Sequence, residues 1–347
     1  MRRVHLATAA ASAALLVACT SSVQAANVQV SRTIATGLHS PWALTFLPNG
    51  DALVSERDSG LIKRVTPQGK VTSVGKVQGV VHDNEGGLLG IAAVPSSDPT
   101  AIYAYETTRS DNRVVRIAWN GNRLGKQTPI LTGIPKSDHH NGGRILPGPG
   151  NTLFVATGDA AQSANAQNLK SLAGKILRID LQGRPAAGNP FPNSPVYSYG
   201  HRNVQGLAFD SQGRLWASEF GERKADELNL IRPGGNYGWP EVEGRSTSKK
   251  YVNPFTQWRP TSLASPSGIA IAGDDAFVAS LRGEVLWDVP LTGPDAGKPT
   301  ALALGKLGRL RTVDRAPDGS LWLVTNNTDG RGSPRSGDDR ILRLTVS

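Results

Sequence analysis

Short runs of apolar residues, each broken by a turn of Gly, Asp, Asn or Pro, recur along the chain at a regular interval. Six segments share one layout: an apolar strand, a turn, a second apolar strand, and then a third. They begin at Leu44 (LTFLPNGDALVSE), Ile91 (IAAVPSSDPTAIYAYE), Ile145 (ILPGPGNTLFVATGD), Leu207 (LAFDSQGRLWASE), Ile269 (IAIAGDDAFVASL) and Val313 (VDRAPDGSLWLVT), at intervals of 47, 54, 62, 62 and 44 residues. The third strands read IKRV, VVRIAW, KILRIDL, ELNLI, VLWDV and RILRLTV. Strands of this length bounded by turn residues, with no long amphipathic helix between them, predict an all-β chain. One small sheet cannot bury both its faces, so units of this size stack around a ring as blades. Six starts predict a six-bladed β-propeller of four-stranded antiparallel sheets. The run Val28 to Thr36 (VQVSRTIAT) is placed to add a strand to the last blade, closing the ring and protecting its edges. Blades three to five lengthen between about Asp159 and Pro266, so long loops gather on one rim, where function usually sits.

Composition supports this pattern. The 39 Gly and 23 Pro among 347 residues suit many tight turns, and no linker divides residues 27–347, which are expected to form one catalytic propeller domain. Residues 1–25 have a signal-peptide layout: Arg2 and Arg3, an apolar stretch from Ala7 to Ala18, and small residues ending at Ala25. That stretch is too short to span a bilayer comfortably. Within it, Leu16-Val17-Ala18-Cys19 looks like a lipobox, in which residues 1–18 are removed and Cys19 is lipidated; cleavage after Ala25 is the other outcome. Either predicts an exported protein, periplasmic or anchored to the outer membrane through a lipid on Cys19. Cys19 is the single cysteine, so the mature chain has no disulfide and relies on its core and strand ladders. Removing Arg2 and Arg3 lowers the net charge from +10 to +8. The basic residues are scattered, with no Lys/Arg run, which argues against a nucleic-acid partner and for a basic pocket that takes a small polyanion.

Three stretches carry candidate chemistry. His139 and His140 stand in SDHHNGGR just before the third repeat. Imidazole is the side chain best suited to take a proton near neutral pH, and adjacent glycines let a ligand approach the backbone; a loop histidine satisfied by carbonyls reads equally well from spacing alone. Zinc-ligand spacing and the Gly-x-Ser-x-Gly elbow of serine hydrolases are both absent. Arg202 and Asn203 lie in GHRNVQG before the fourth repeat, while Arg282, Arg309 and Arg311 recur at equivalent rim positions of later ones. Their guanidiniums suit carboxylates, or else solvate a basic surface. The stretches Ser218 to Glu227 and Gly234 to Pro240 are rich in carboxylates, glycine and carbonyls, a donor set that suits calcium and also ordinary turns.

Together, EGGLLG from Glu85, HNGGR from His140, YGHRN from Tyr199 and GNYGWP from Gly235 resemble the soluble pyrroloquinoline-quinone-dependent sugar dehydrogenases, the glucose/sorbosone dehydrogenase family. The resemblance runs from Leu38 to the final RILRL. It implies a six-bladed propeller that binds pyrroloquinoline quinone (PQQ) and Ca2+ and oxidises the anomeric hydroxyl of an aldose sugar to a lactone. It places the general base on His140 rather than His139. It places quinone contacts on Glu85, where other members carry glutamine, and on His140, Arg202, Asn203, Arg282, Arg309 and Arg311. It places one calcium on carbonyls of Gly221 and Glu222 and a further one on carbonyls of Glu227 and Tyr237. An external electron acceptor is required. The rival from another class is a non-catalytic envelope propeller that binds glycan or protein, and a third option is oxidation of a sorbosone-like aldehyde hydrate. Trp258 and Tyr251 stand as pocket-lining candidates.

Overall fold

A computed structural model describes residues 28–346; the expected leader, with Cys19, lies outside the described residues. Six four-stranded antiparallel sheets surround a central axis as a six-bladed propeller. The strands nearest the axis are Pro41–Phe46, Leu88–Val94, Ile145–Gly148, Val204–Phe209, Pro266–Ala272 and Leu310–Arg315, in blades one to six. Each predicted third strand is present, from Leu61–Val65 in blade one to Ile341–Val346 in blade six. The ring closes as expected: Val28–Ala35 pairs antiparallel with Ile341–Val346, so the first strand of the chain completes the last blade.

The second strand of each blade faces neighbouring sheets on both sides, so its residues lose the polar-apolar alternation of a half-exposed strand. Ala52–Glu56, Ala101–Thr107, Thr152–Ala156, Leu215–Glu219 and Leu321–Thr325 are buried at every position. The seam between blades six and one is packed the same way. Ile34 and Leu38 join Leu44 and Val54 of blade one to Trp322 and Val324 of blade six, and the Trp322 ring meets Phe46 edge-on at 5.1 Å.

In five blades the apolar repeat begins three residues after its inner strand does, while in blade three the two coincide at Ile145, and the offset has a structural cause. Five inner strands carry a register shift at their first residues: Pro41/Leu44, Leu88/Ile91, Val204/Gly206, Pro266/Ile269 and Leu310/Thr312. A bulge re-aims the side chain it carries. Here it delivers Trp42, Gln205 and Arg311 to the cavity at the mouth of the ring. The inner strands crowd together at these bulges: a Cβ on Gly90 would lie 2.2 Å from the carbonyl oxygen of Gly143, and one on Gly206 2.3 Å from that of Ser267, so only glycine fits.

Because blade six is the one sheet built from both ends of the described chain, Trp322→Ala should destabilise the protein by about 3–5 kcal/mol, the usual cost of deleting a buried large aromatic. Urea unfolding measures this, and a loss below about 1 kcal/mol would show that the seam does not hold the ring.

Candidate active site

One cavity of about 270 Å³ opens at the mouth of the ring. His140 sits on its wall in the connection between blades two and three, with a left-handed backbone (φ +59°) that non-glycine residues rarely adopt. Its Nδ1 is 2.8 Å from Oδ1 of Asp159, a buried carboxylate that also accepts from the Ala161 N–H (2.9 Å) and from Trp239 Nε1 (2.8 Å). An ionised carboxylate only accepts, so Nδ1 carries the proton and Nε2 is left with the lone pair. Gly158 allows the fit, since a Cβ there would lie 1.9 Å from the His140 carbonyl oxygen. The neighbouring His139 is half-buried, pairs with Asp138, and does not line this cavity.

Facing the imidazole is a cluster of cations. Arg202, Arg282, Arg309 and Arg311 line the cavity, joined by Arg57 and Arg331, against the carboxyls of Glu85, Glu222, Asp226 and Asp329. Arg309 pairs with Asp329 at 3.0 Å. Among the described residues Arg311 has only neutral hydrogen-bond partners, Gln205 Oε1 at 3.0 Å, Asn326 Oδ1 at 3.3 Å and Ser267 Oγ at 3.4 Å. Burial pushes its guanidinium down, Asp329 partly restores it, and the cations of Arg57, Arg309 and Arg144 lower it again, to about 9. It stays cationic at neutral pH, at an electrostatic cost that an entering anion would offset. Trp42 lies between two guanidiniums, with Arg144 4.3 Å and Arg311 5.5 Å from its ring centroid. Arg202 lies over Trp239 at 5.4 Å, and its buried Nε has no hydrogen-bond partner among the described residues. An orphaned guanidinium donor and an excess of cations on one cavity fit a small polycarboxylate.

Among the described residues no group of three or more His, Cys, Asp or Glu is placed to hold a metal, so a cation here would rely on carbonyls. The loop after Phe220 is suited to that. The N–H groups of Glu222, Arg223, Lys224 and Ala225 all converge on Glu243 Oε1, and that of Gly221 reaches Asp226. No hydrogen bond among the described residues engages the carbonyls of Gly221 or Glu222, and both residues line the cavity. These free oxygens fit a hard cation such as calcium. Burial pushes the adjacent Asp226 carboxyl up to about 7, partly countered by the Ser265 and Gly221 N–H groups and Arg202.

Other expected residues lie elsewhere. Asn203 does not line the cavity: it is buried behind it, its Oδ1 accepting from the Gly142 N–H (3.0 Å) and Gln205 Nε2 (3.0 Å). It therefore supports the loop that carries His140. Glu227 and Tyr237 line a separate cavity of about 10 Å³, room for little more than one water-sized occupant. Burial, then the nearby Glu219, push the Glu227 carboxyl up to about 8. Trp258 is buried within blade four against Trp287, and Tyr251 bonds Glu241; neither lines the main cavity. The sequence reading missed Asp159, Trp42, Arg57 and Arg331. Of these only Asp159 carried a signal, ending the repeat ILPGPGNTLFVATGD.

Comparison with known proteins agrees with this architecture. The family model described as glucose/sorbosone dehydrogenase matches residues 38–342. The PQQ-bound form of an aldose sugar dehydrogenase from Streptomyces coelicolor is similar at a TM-score of 0.89 and 53% identity, over 93% of this chain and 98% of that one. The aldose sugar dehydrogenase of Escherichia coli (strain K12) is 28% identical over 92% of this chain and 97% of its own length. Quinoprotein glucose dehydrogenase B of Acinetobacter calcoaceticus is 33% identical over 64% of this chain and 54% of its own.

If the uncompensated cations form an anion site, citrate should raise the unfolding temperature of the cofactor-free protein, with a stabilisation of about 2.7 kcal/mol at one hundred times its dissociation constant. In Arg311→Met that gain should largely vanish, while the variant without citrate is no less stable than the parent, because a buried cation lacking a carboxylate contact has been removed. Differential scanning fluorimetry reads both; an undiminished citrate gain in the variant would contradict the assignment.

Proposed function

The chain belongs to the glucose/sorbosone dehydrogenase family, and on that premise we propose that it is a PQQ- and calcium-dependent dehydrogenase that oxidises the anomeric hydroxyl of aldose sugars to lactones. The observation that carries this reading is an imidazole with its Nδ1 held by a buried carboxylate, facing a cavity with more guanidiniums than carboxyls.

When bound, PQQ supplies a two-electron acceptor for hydride, and calcium the Lewis acidity that polarises its carbonyls. Arg202, Arg309 and Arg311, with Arg282 at the rim, offset the cofactor's carboxylates by charge-assisted hydrogen bonds. The carbonyls of Gly221 and Glu222 would hold the calcium, and those of Glu227 and Tyr237 would hold a further ion. Nε2 of His140 takes the proton of the anomeric hydroxyl while hydride leaves the anomeric carbon, so the substrate loses two electrons and two hydrogens and its C–O bond becomes a carbonyl. Asp159 fixes the tautomer that keeps Nε2 free and stabilises the imidazolium that forms. The electrons pass on to an external acceptor.

We further propose that residues 27–347 form one catalytic domain that works outside the cytoplasm, after removal of residues 1–18 with lipidation of Cys19 or cleavage after Ala25. The layout of the first 25 residues supports this. Among the described residues no helix is long and apolar enough to cross a membrane. A propeller that only binds glycan or protein has no need of a carboxylate buried against an imidazole.

Reconstitution with PQQ and Ca2+ should yield dye reduction with at least one aldose, and chelation followed by Ca2+ addition should remove and restore it; no turnover with any aldose at full quinone occupancy would end the proposal. His140→Ala should lower kcat by about 10²–10⁴ with quinone affinity retained. Asp159→Asn should lower kcat by a smaller factor, because the imidazole keeps its place but loses its charged partner. Unchanged turnover in His140→Ala would refute the base assignment.

A further inference from the structure

Glu85 reaches the catalytic loop by a route that a simple cofactor contact does not require. Its backbone N–H donates to the Asp138 carbonyl at 3.0 Å, and its Oε2 accepts the His140 N–H at 2.8 Å. The connection between blades one and two thus docks at two points on the segment that carries the base. The second point falls on the residue whose backbone is left-handed, at φ +59°. Such a conformation is sparsely populated and persists where surrounding contacts over-determine it. Opposite, the His140 carbonyl accepts the Ala160 N–H at 3.1 Å, so both peptide groups of the base are held.

The other carboxylate oxygen is also engaged. Oε1 of Glu85 accepts from Arg331 Nη1 at 2.8 Å, and Arg331 Nη2 donates to Asn84 Oδ1 at 3.0 Å. Arg331 comes from blade six, from the segment between Leu321–Thr325 and Ile341–Val346, and reaches past blade one to meet Glu85. Its own N–H donates to Asp329 Oδ1 (2.9 Å), whose Oδ2 accepts from Arg309 (3.0 Å). Burial alone would raise the Glu85 carboxyl, but the His140 N–H and Arg331 outweigh it and hold it below the usual carboxylate value, so it is ionised at neutral pH.

We propose that Glu85 is a positioning residue: its carboxylate clamps the left-handed backbone of His140 so that the imidazole faces the cavity, and Arg331 neutralises the negative charge that this clamp sets beside a polyanion site. The clamp stands on this geometry alone; the neutralising role rests on the quinone reading above. A direct quinone contact makes a different demand, because it uses only the lone pairs that these two bonds leave and does not need the His140 N–H.

The test separates these roles. In reconstituted enzyme, Glu85→Ala and Glu85→Met should each lower kcat by about tenfold or more, as expected for a displaced base, with quinone affinity within about threefold of the parent. Glu85→Gln should restore kcat, since an amide oxygen accepts the same N–H. Arg331→Met should weaken quinone binding by about tenfold, and adding Glu85→Gln to it should restore binding. Cofactor-free protein labelled with ¹⁵N-histidine provides a readout independent of turnover: the His140 amide, identified by its absence in His140→Ala, should exchange slowly in the parent and in Glu85→Gln and fast in Glu85→Ala and Glu85→Met. Unaltered amide exchange in those two variants, or a loss of quinone affinity with kcat intact, overturns the clamp. Parental quinone affinity in Arg331→Met overturns the neutralising role. A parent protein that binds no quinone refutes the function proposed above, while the amide exchange still decides the clamp.

Discussion

The arrangement depends on one crowded junction, where the inner strands of the propeller converge so closely that side chains fit only where bulges turn them. Gly90 and Gly206 have no room for a Cβ, and the residues beside them are forced out of the regular pleat. That convergence brings Trp42, Gln205 and Arg311, from blades one, four and six, to a single cavity. A flat sheet could not gather positions so far apart in sequence. The closing strand Val28–Ala35 and the Phe46–Trp322 seam hold the ring shut, so the cavity is as rigid as the core around it.

Rigidity matters because the site stores unfavourable electrostatics. Among the described residues Arg311 is buried with only neutral hydrogen-bond partners, and Arg202 keeps an orphaned Nε. A flexible pocket would relax such groups toward water; this one holds them where a polyanion can meet them without reorganisation. The imidazole is fixed with the same economy of motion. Asp159 holds its ring, Glu85 and Ala160 hold its backbone, and Gly158 leaves space for its carbonyl.

The fold was legible because its signal is local and repeated: six apolar pairs of strands at a near-constant interval, and a lone N-terminal strand with no blade of its own. The offset of the inner strands was not, because a bulge breaks the period that reveals a strand. The structure brings Glu85, His140, Arg202, Gly221, Glu222, Arg282, Arg309 and Arg311 to one cavity; only the arginines recur at equivalent rim positions along the chain, and the others were legible through the family motifs. Asn203 looked equivalent to its neighbour Arg202 in sequence, but along a strand entry adjacent residues face opposite ways, and it points into the support behind the loop. Arg331 and Glu85 are 246 residues apart and meet only because blade six lies next to blade one, so no spacing rule could pair them. Glu227 and Tyr237 belong to the acidic Gly-rich stretch that reads as one motif, yet the fold gives them a second, smaller cavity, which Gly221 borders and Glu222 does not.

The central claim is that hydride leaves the anomeric carbon of a sugar inside this cavity. Its most direct test is a single-turnover measurement of cofactor reduction in the reconstituted protein, comparing an aldose with the same aldose deuterated at the anomeric carbon. The account predicts a slower reduction with deuterium at that carbon and an unchanged rate with deuterium elsewhere on the ring. Equal rates for the two sugars would contradict it.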